Sequence, residues 1–164
     1  MRQQASEQGL REVVAALTNT IEGFEAEVSP QLARAVAATV LVKREIANEY
    51  GLLTEADVRR SLELTAESEF PDLFSIPYRK QVLFPGFQLE AVVGGAGAQR
   101  IRPFISRLKK LALERSWRDE DVVFSLVSPT TYLGDERSFA VHLVEGYDPE
   151  ALYRAFEEKM GVEW

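Results

Sequence analysis

Along the first half of the chain, apolar residues recur with helical spacing. Leu10, Val13, Val14, Leu17, Ile21, Phe24 and Val28 fall at steps of three and four, which predicts an amphipathic helix. Ser29-Pro30 opens a second helix, because serine accepts hydrogen bonds from free backbone N–H groups and proline suits the first helical position. Its apolar face runs through Leu32, Val36, Val40 and Ile46 to Tyr50, and Gly51 supplies the left-handed residue that ends it. Thr54 starts a third helix, with Asp57 completing a weaker form of the capping box and Val58 and Leu62 facing inward.

From Thr65 to Pro71 the periodic signal fades. Short apolar runs at Phe74–Ile76 and Val82–Phe84 flank Pro77-Tyr78-Arg79-Lys80-Gln81 and predict a β-hairpin. Gly94-Gly95-Ala96-Gly97 reads as a flexible joint. Beyond it, Ile101, Phe104, Ile105, Leu108, Leu111 and Ala112 form one stripe of a strong helix, with Pro103 tolerable only in its first turn. Ser116 and Asp119 predict a second capping pattern, ahead of Val122, Val123, Leu126 and Val127 and a stop at Pro129. A short helix at Phe139–Leu143 leads to Asp148-Pro149, which caps a last helix through Leu152, Ala155, Phe156 and Met160 to Gly161. The expected fold is mainly α, in three parts: a helical region at 1–53, a degenerate winged helix-turn-helix with its hairpin at 54–93, and a helical domain at 98–164.

Composition adds limits. With 164 residues and 46% hydrophobic content, the chain can bury a real core. It has no cysteine, so disulfides, thiolate metal sites and a cysteine nucleophile are excluded, which suits a reducing cytoplasm. The polar start Met1-Arg2-Gln3-Gln4 is unlike a secretory signal, and no stretch is apolar enough to predict a membrane span.

Charge is segregated. Residues 79–118 carry nine basic and two acidic groups, whereas residues 119–164 carry three and eleven. Opposite blocks pair inside a fold or present separate surfaces to separate partners.

Candidate chemistry is sparse. The single histidine, His142, has no serine or carboxylate at a spacing that would make it a general base, and it reads as a structural residue. Asp119-Glu120-Asp121 sits at a helix start, where the macrodipole favours acids anyway. The glycine stretch lacks both the GxGxxG spacing and the lysine of a phosphate-binding loop. Neither a catalytic residue nor a cofactor or metal is expected, and an enzyme is the weaker reading.

Signals of recognition are stronger. A helix at 54–63, a break and a hairpin have the order of a winged helix-turn-helix, with Arg79 and Lys80 at the wing tip where such folds touch phosphate. Yet the segment where a recognition helix belongs reads Thr65-Ala66-Glu67-Ser68-Glu69-Phe70-Pro71-Asp72, whose acids would repel DNA and whose proline would cut the helix short. DNA binding is therefore expected to be weak or absent. The competing reading is a transcriptional regulator using Arg79, Lys80, Arg100, Arg102, Arg107, Lys109 and Lys110 against phosphate.

Two stretches resemble a known family. Leu83-Phe84-Pro85-Gly86-Phe87-Gln88-Leu89 is similar to an element that follows the degenerate helix-turn-helix in one branch of the Xre/MbcA/ParS-type antitoxins. Trp117 through Leu126, then Ser128-Pro129-Thr130-Thr131-Tyr132-Leu133-Gly134, and on to Val141-His142-Leu143, resembles the toxin-binding domain of that family. The chain departs from the pattern at Thr130, where the family usually has Asn, and at Ser138 or Phe139, where it has Pro. The resemblance implies a homodimer that docks into the active site of a cognate toxin, commonly a RES-domain enzyme that consumes NAD. It places the partner-binding surface on Ser128, Thr130, Thr131, Tyr132, Arg137 and the tail Val162, Glu163 and Trp164. No catalytic residue belongs to such an antitoxin.

Overall fold

The computed structural model describes residues 30–94 and 97–162. The helix expected on Leu10–Val28 lies outside the described residues, as do Glu163, Trp164 and the side chain of Val162. The chain divides into two compact units, Met1–Glu45 and Ile46–Trp164. Helix α1 (Pro30–Glu49) begins at the predicted proline and ends just before Gly51, which takes φ +74°.

The second unit holds a short strand β1 (Leu52–Leu53), helix α2 (Glu55–Ser61), the hairpin strands β2 (Ile76–Tyr78) and β3 (Gln81–Pro85), and a 3-10 turn at Gly86–Gln88. Strands β4 (Leu89–Ala91) and β5 (Gln99–Ile101) follow. Four helices complete it: α3 (Pro103–Glu114), α4 (Asp119–Val127), α5 (Phe139–Val144) and α6 (Pro149–Val162). The described residues are about 53% helical, and the mixed α/β result is less purely helical than the periodicity alone predicts.

Local chemistry explains most boundaries. The Thr54 hydroxyl accepts the Asp57 N–H, while the Asp57 carboxylate accepts the Thr54 N–H, so the expected capping box is formed in full. Residues 62–75 form turns and loop without a helix. In the β2–β3 hairpin, Tyr78 faces Gln81 and Pro77 faces Val82. The closing pair of a two-residue hairpin is hydrogen-bonded, so Pro77 sits at a non-bonded pair and its missing N–H takes no bond from the ladder. Strand β1 adds to the other side of β3, giving the order β1-β3-β2.

Strands β4 and β5, on either side of the Gly94–Gly97 stretch, pair antiparallel, Leu89 with Ile101 and Ala91 with Gln99, and both lie in the second unit. Two expectations need correction. Ile101 therefore ends a strand, and α3 starts at Pro103. Ser116 does not cap the next helix: it lies at φ +57°, past the end of α3, and Arg118 occupies the capping position without a side-chain bond. The Asp119 carboxylate is engaged elsewhere, by Ser75 and Lys109.

The core of the second unit is built where α3 packs on α6, α4 on α5, and α5 on both α6 and the 3-10 turn. Phe74, Ile105, Leu108, Leu126, Phe139, Leu152 and Phe156 are completely buried there. A T-shaped contact at 5.2 Å joins Phe139 to Phe156.

Candidate functional site

The connection between α4 and α5 borders a concavity at four of the predicted partner-binding residues, Ser128, Thr130, Thr131 and Tyr132. Helix α4 stops because Ser128 adopts extended backbone at φ −71°, ψ 139°, and Pro129 cannot continue the helix. The chain then crosses back toward α5 through an isolated antiparallel bridge between Pro129 and Ser138, with the Thr130 N–H donating to the Arg137 carbonyl at 3.3 Å. Gly134, at φ +85°, makes the reversal possible, and its N–H donates to the Thr131 carbonyl at 3.0 Å.

A groove of about 700 Å³ runs along this connection. Ser128, Thr130, Thr131 and Tyr132 line it together with Phe124, Ser125, Pro129, Glu136 and Lys159. Tyr132 and Thr131 are exposed on the rim. Thr130 is buried, and its hydroxyl accepts the Tyr132 N–H at 3.3 Å, so it shapes the rim from below. The Ser128 hydroxyl donates to the Phe124 carbonyl at 2.7 Å. Lys159 reaches the floor from α6, its ammonium donating to the Ser125 carbonyl at 3.1 Å.

Arg137 does not line the groove. It stands behind the rim, donating to Asp135 at 2.8 Å and to Glu145 at 2.6 Å. His142 joins the same cluster: it is 2% exposed, its Nε2 lies 3.0 Å from an Asp135 oxygen, and its Nδ1 lies 3.4 Å from the Arg137 guanidinium. The ring also meets Tyr147 edge-on at 5.0 Å. Hydrogen bonds from Arg137, then from His142, hold the Asp135 carboxyl well below the usual carboxylate range. The structural role expected for His142 is thus accompanied by a carboxylate partner seven residues back, a spacing no local motif reveals.

The basic residues are distributed over several elements. Arg79 and Lys80 form the exposed tip of the β2–β3 hairpin, with Arg79 over the Tyr78 ring at 5.2 Å. Arg100 pairs with Glu90 at 2.8 Å. Arg102 is largely buried and donates to Glu90 and to the carbonyls of Phe87 and Leu143. Arg107 pairs with Glu150 at 2.5 Å and covers the Tyr153 ring, while Lys109 pairs with Asp119 at 2.5 Å. Lys110 is exposed. Among the described residues no group of three or more histidines or carboxylates gathers as a metal site, and no helix is long and apolar enough to cross a membrane.

Sequence reading missed the groove's other walls. Phe124 and Ser125 look like ordinary helix positions, and Lys159 lies on the sixth helix, far away along the chain. Only the tertiary packing of α6 beside the α4–α5 connection brings them to Ser128–Tyr132. Comparison with protein families, with curated proteins and with solved structures gives no match.

Proposed function

We propose that this chain is an antitoxin-like or immunity-like protein that binds a partner toxin and occludes its active site. The observation that carries the reading is the groove along Ser128–Tyr132. The stretch chosen by resemblance forms an accessible concave surface with an exposed tyrosine on its rim, and amphipathic aromatic residues are common interface anchors. The acidic balance of residues 119–164 supports a partner with a cationic cleft, such as the NAD-phosphate pocket of a RES-type enzyme. In this reading the protein acts as a homodimer through its N-terminal helices and contributes no catalytic group.

The winged helix-turn-helix belongs to the proposal in degenerate form. Helix α2 and the β2–β3 hairpin have the right order, and the 62–75 segment between them supplies no helix to enter a groove of DNA. The engagement of Arg102, Arg107 and Lys109 by Glu90, Glu150 and Asp119 weighs against a phosphate-binding face on this block.

The test is co-expression of the tagged chain with its genomic neighbours, followed by a high-salt wash and mass spectrometry. A stoichiometric enzyme, inhibited in the complex and released by Tyr132→Ala, is the expected outcome. Recovery of nucleic acid that is shed as salt rises, or a footprint on the chain's own promoter at physiological salt, replaces this reading with the regulator.

A further inference from the structure

We infer that the groove is a receptor for an arginine side chain of the protein that docks there, held by the Glu136 carboxylate and the Tyr132 ring. The inference rests on the proposed function for the groove's being a docking surface, and it adds the chemistry of what enters.

Several polar groups of the groove are already committed within the chain. The Ser128 hydroxyl donates to the Phe124 carbonyl, the Thr130 hydroxyl accepts the Tyr132 N–H, and Lys159 donates to the Ser125 carbonyl. The Glu136 carboxylate and the hydroxyls of Ser125, Thr131 and Tyr132 have no hydrogen bond or ion pair among the described residues. All four can accept, and one of them is a charged carboxylate.

Glu136 is left over for a local reason. Its neighbours on both sides are engaged behind the rim: Arg137 Nε bonds Asp135 at 2.8 Å, a second Arg137 nitrogen bonds Glu145 at 2.6 Å, and His142 meets Asp135 at 3.0 Å. The Arg137 N–H also donates to the Asp135 carboxylate at 3.0 Å, which fixes the backbone on either side of Glu136. The nearest cation in sequence is thus shared between two other carboxylates. Asp119, Asp121 and Glu150 of the same acidic block each hold a basic partner, whereas Glu136 faces the groove without one.

Charge decides the class of occupant. Lys159 is the one cation among the described lining residues, and it is 6% exposed, with its ammonium on the Ser125 carbonyl and 5.8 Å from the centre of the Phe139 ring. Glu136 is exposed, so the accessible charge of the groove is negative, which disfavours a phosphate or a nucleic acid. A guanidinium fits the uncommitted groups better than an ammonium does. It is planar, brings five donors in a fixed geometry to a set of acceptors, and sheds its water more readily. Tyr132, 37% exposed on the rim, offers an aromatic face over which such a cation is attracted.

The first experiment needs no toxin. The full chain, labelled with nitrogen-15, is titrated with acetyl-Gly-Arg-Gly-amide and with the same peptide carrying citrulline, which keeps the shape and loses the charge. Saturable NMR shifts are expected at the backbone amides of Thr131, Tyr132 and Glu136 with the arginine peptide alone. Glu136→Gln, a change at an exposed side chain, is expected to weaken that binding about fivefold. Tyr132→Leu, which keeps apolar bulk without a ring, is expected to weaken it about threefold. Shifts confined to other residues, an equal response to citrulline, or full affinity in Glu136→Gln overturns the inference. In the co-expression test, Glu136→Lys is expected to lose the enzyme. Glu67→Lys, the same charge change on an exposed residue outside the groove, is expected to keep it. An enzyme retained by Glu136→Lys overturns the arginine site and leaves the toxin-binding reading standing. Arginine binding by a chain that captures no enzyme does the reverse.

Discussion

Gln88 shows how one buried polar side chain holds several segments in place. It is fully buried, yet its amide donates to the carbonyls of Phe74 at 2.8 Å and Pro85 at 3.2 Å and accepts the Phe74 N–H at 2.8 Å. Gln88→Leu keeps the bulk and strands both backbone groups of Phe74. It is expected to cost about 3 kcal/mol of unfolding free energy, read by denaturant titration. Two residues earlier, Gly86 donates its N–H to the Gly51 carbonyl, and a Cβ there would strike the Tyr50 carbonyl oxygen. Tyr50 itself is half-buried against Phe87, and burial pushes its hydroxyl up to about 12 against a smaller opposing effect of Ser138. Because the folded protein holds this proton more tightly than the unfolded chain, Tyr50 stabilises fully below pH 10.0, and its contribution is lost as pH rises toward about 12. Tyr50→Phe is expected to flatten the alkaline fall in melting temperature over that window; an unchanged slope rules this out. None of these roles is legible from one residue. Gln88 is visible in the sequence only as part of a resembled motif, and its partners lie three and fourteen residues away.

At the scale of elements, what the sequence makes legible is what local chemistry decides. The Thr54–Asp57 capping box, the proline starts of α1, α3 and α6, and the left-handed Gly51 and Gly134 depend on neighbours within about one helical turn. Thr54→Ala is accordingly expected to lower stability by about 1 kcal/mol in thermal or denaturant unfolding. Strands β1, β4 and β5 were hidden because two- or three-residue strands have no readable alternation and take their stability from partners across the sheet. The failed cap at Ser116 has the same origin: Asp119 has a better partner in Ser75, which a local pattern cannot show. The hairpin tip adds a further point. Arg79 and Lys80 take φ of +47° and +65°, a pattern normally reserved for Asn-Gly in a two-residue turn, so the turn carries two unfavourable conformations. Replacing the pair by Asn-Gly is expected to raise stability by about 1 kcal/mol and leave retention of the proposed toxin partner unchanged. A loss of the partner would move the binding surface from the groove to this tip.

For the molecule as a whole, the opposite-sign blocks read from the sequence meet at a few places, and Asp119 is the most connected. One of its carboxylate oxygens takes the Lys109 ammonium at 2.5 Å, and the other accepts both the N–H and the hydroxyl of Ser75. It thereby joins α3, α4 and the segment entering β2, while the Lys109 ammonium lies over the Phe74 ring at 4.9 Å from its centre. Arg107 and Glu150 join the same two blocks at the surface, with side chains 48% and 63% exposed, against 11% and 28% for Lys109 and Asp119. Salt separates the two cases, because ions screen exposed pairs and reach enclosed ones poorly. Asp119→Asn is expected to cost about 2 kcal/mol at low salt and nearly as much in about 1 M salt, since the loss includes the Lys109 ammonium left enclosed without its counter-charge. Arg107→Gln is expected to cost less than Asp119→Asn, and most of that loss disappears in the same salt. The double change Lys109→Met with Asp119→Asn should recover part of the loss, because no enclosed cation remains. If Asp119→Asn instead becomes harmless in high salt, the blocks are joined only through the solvent-exposed surface. Lys109 would then be as available to phosphate as Lys110, and the regulator reading would regain the basic block that the proposed function sets aside.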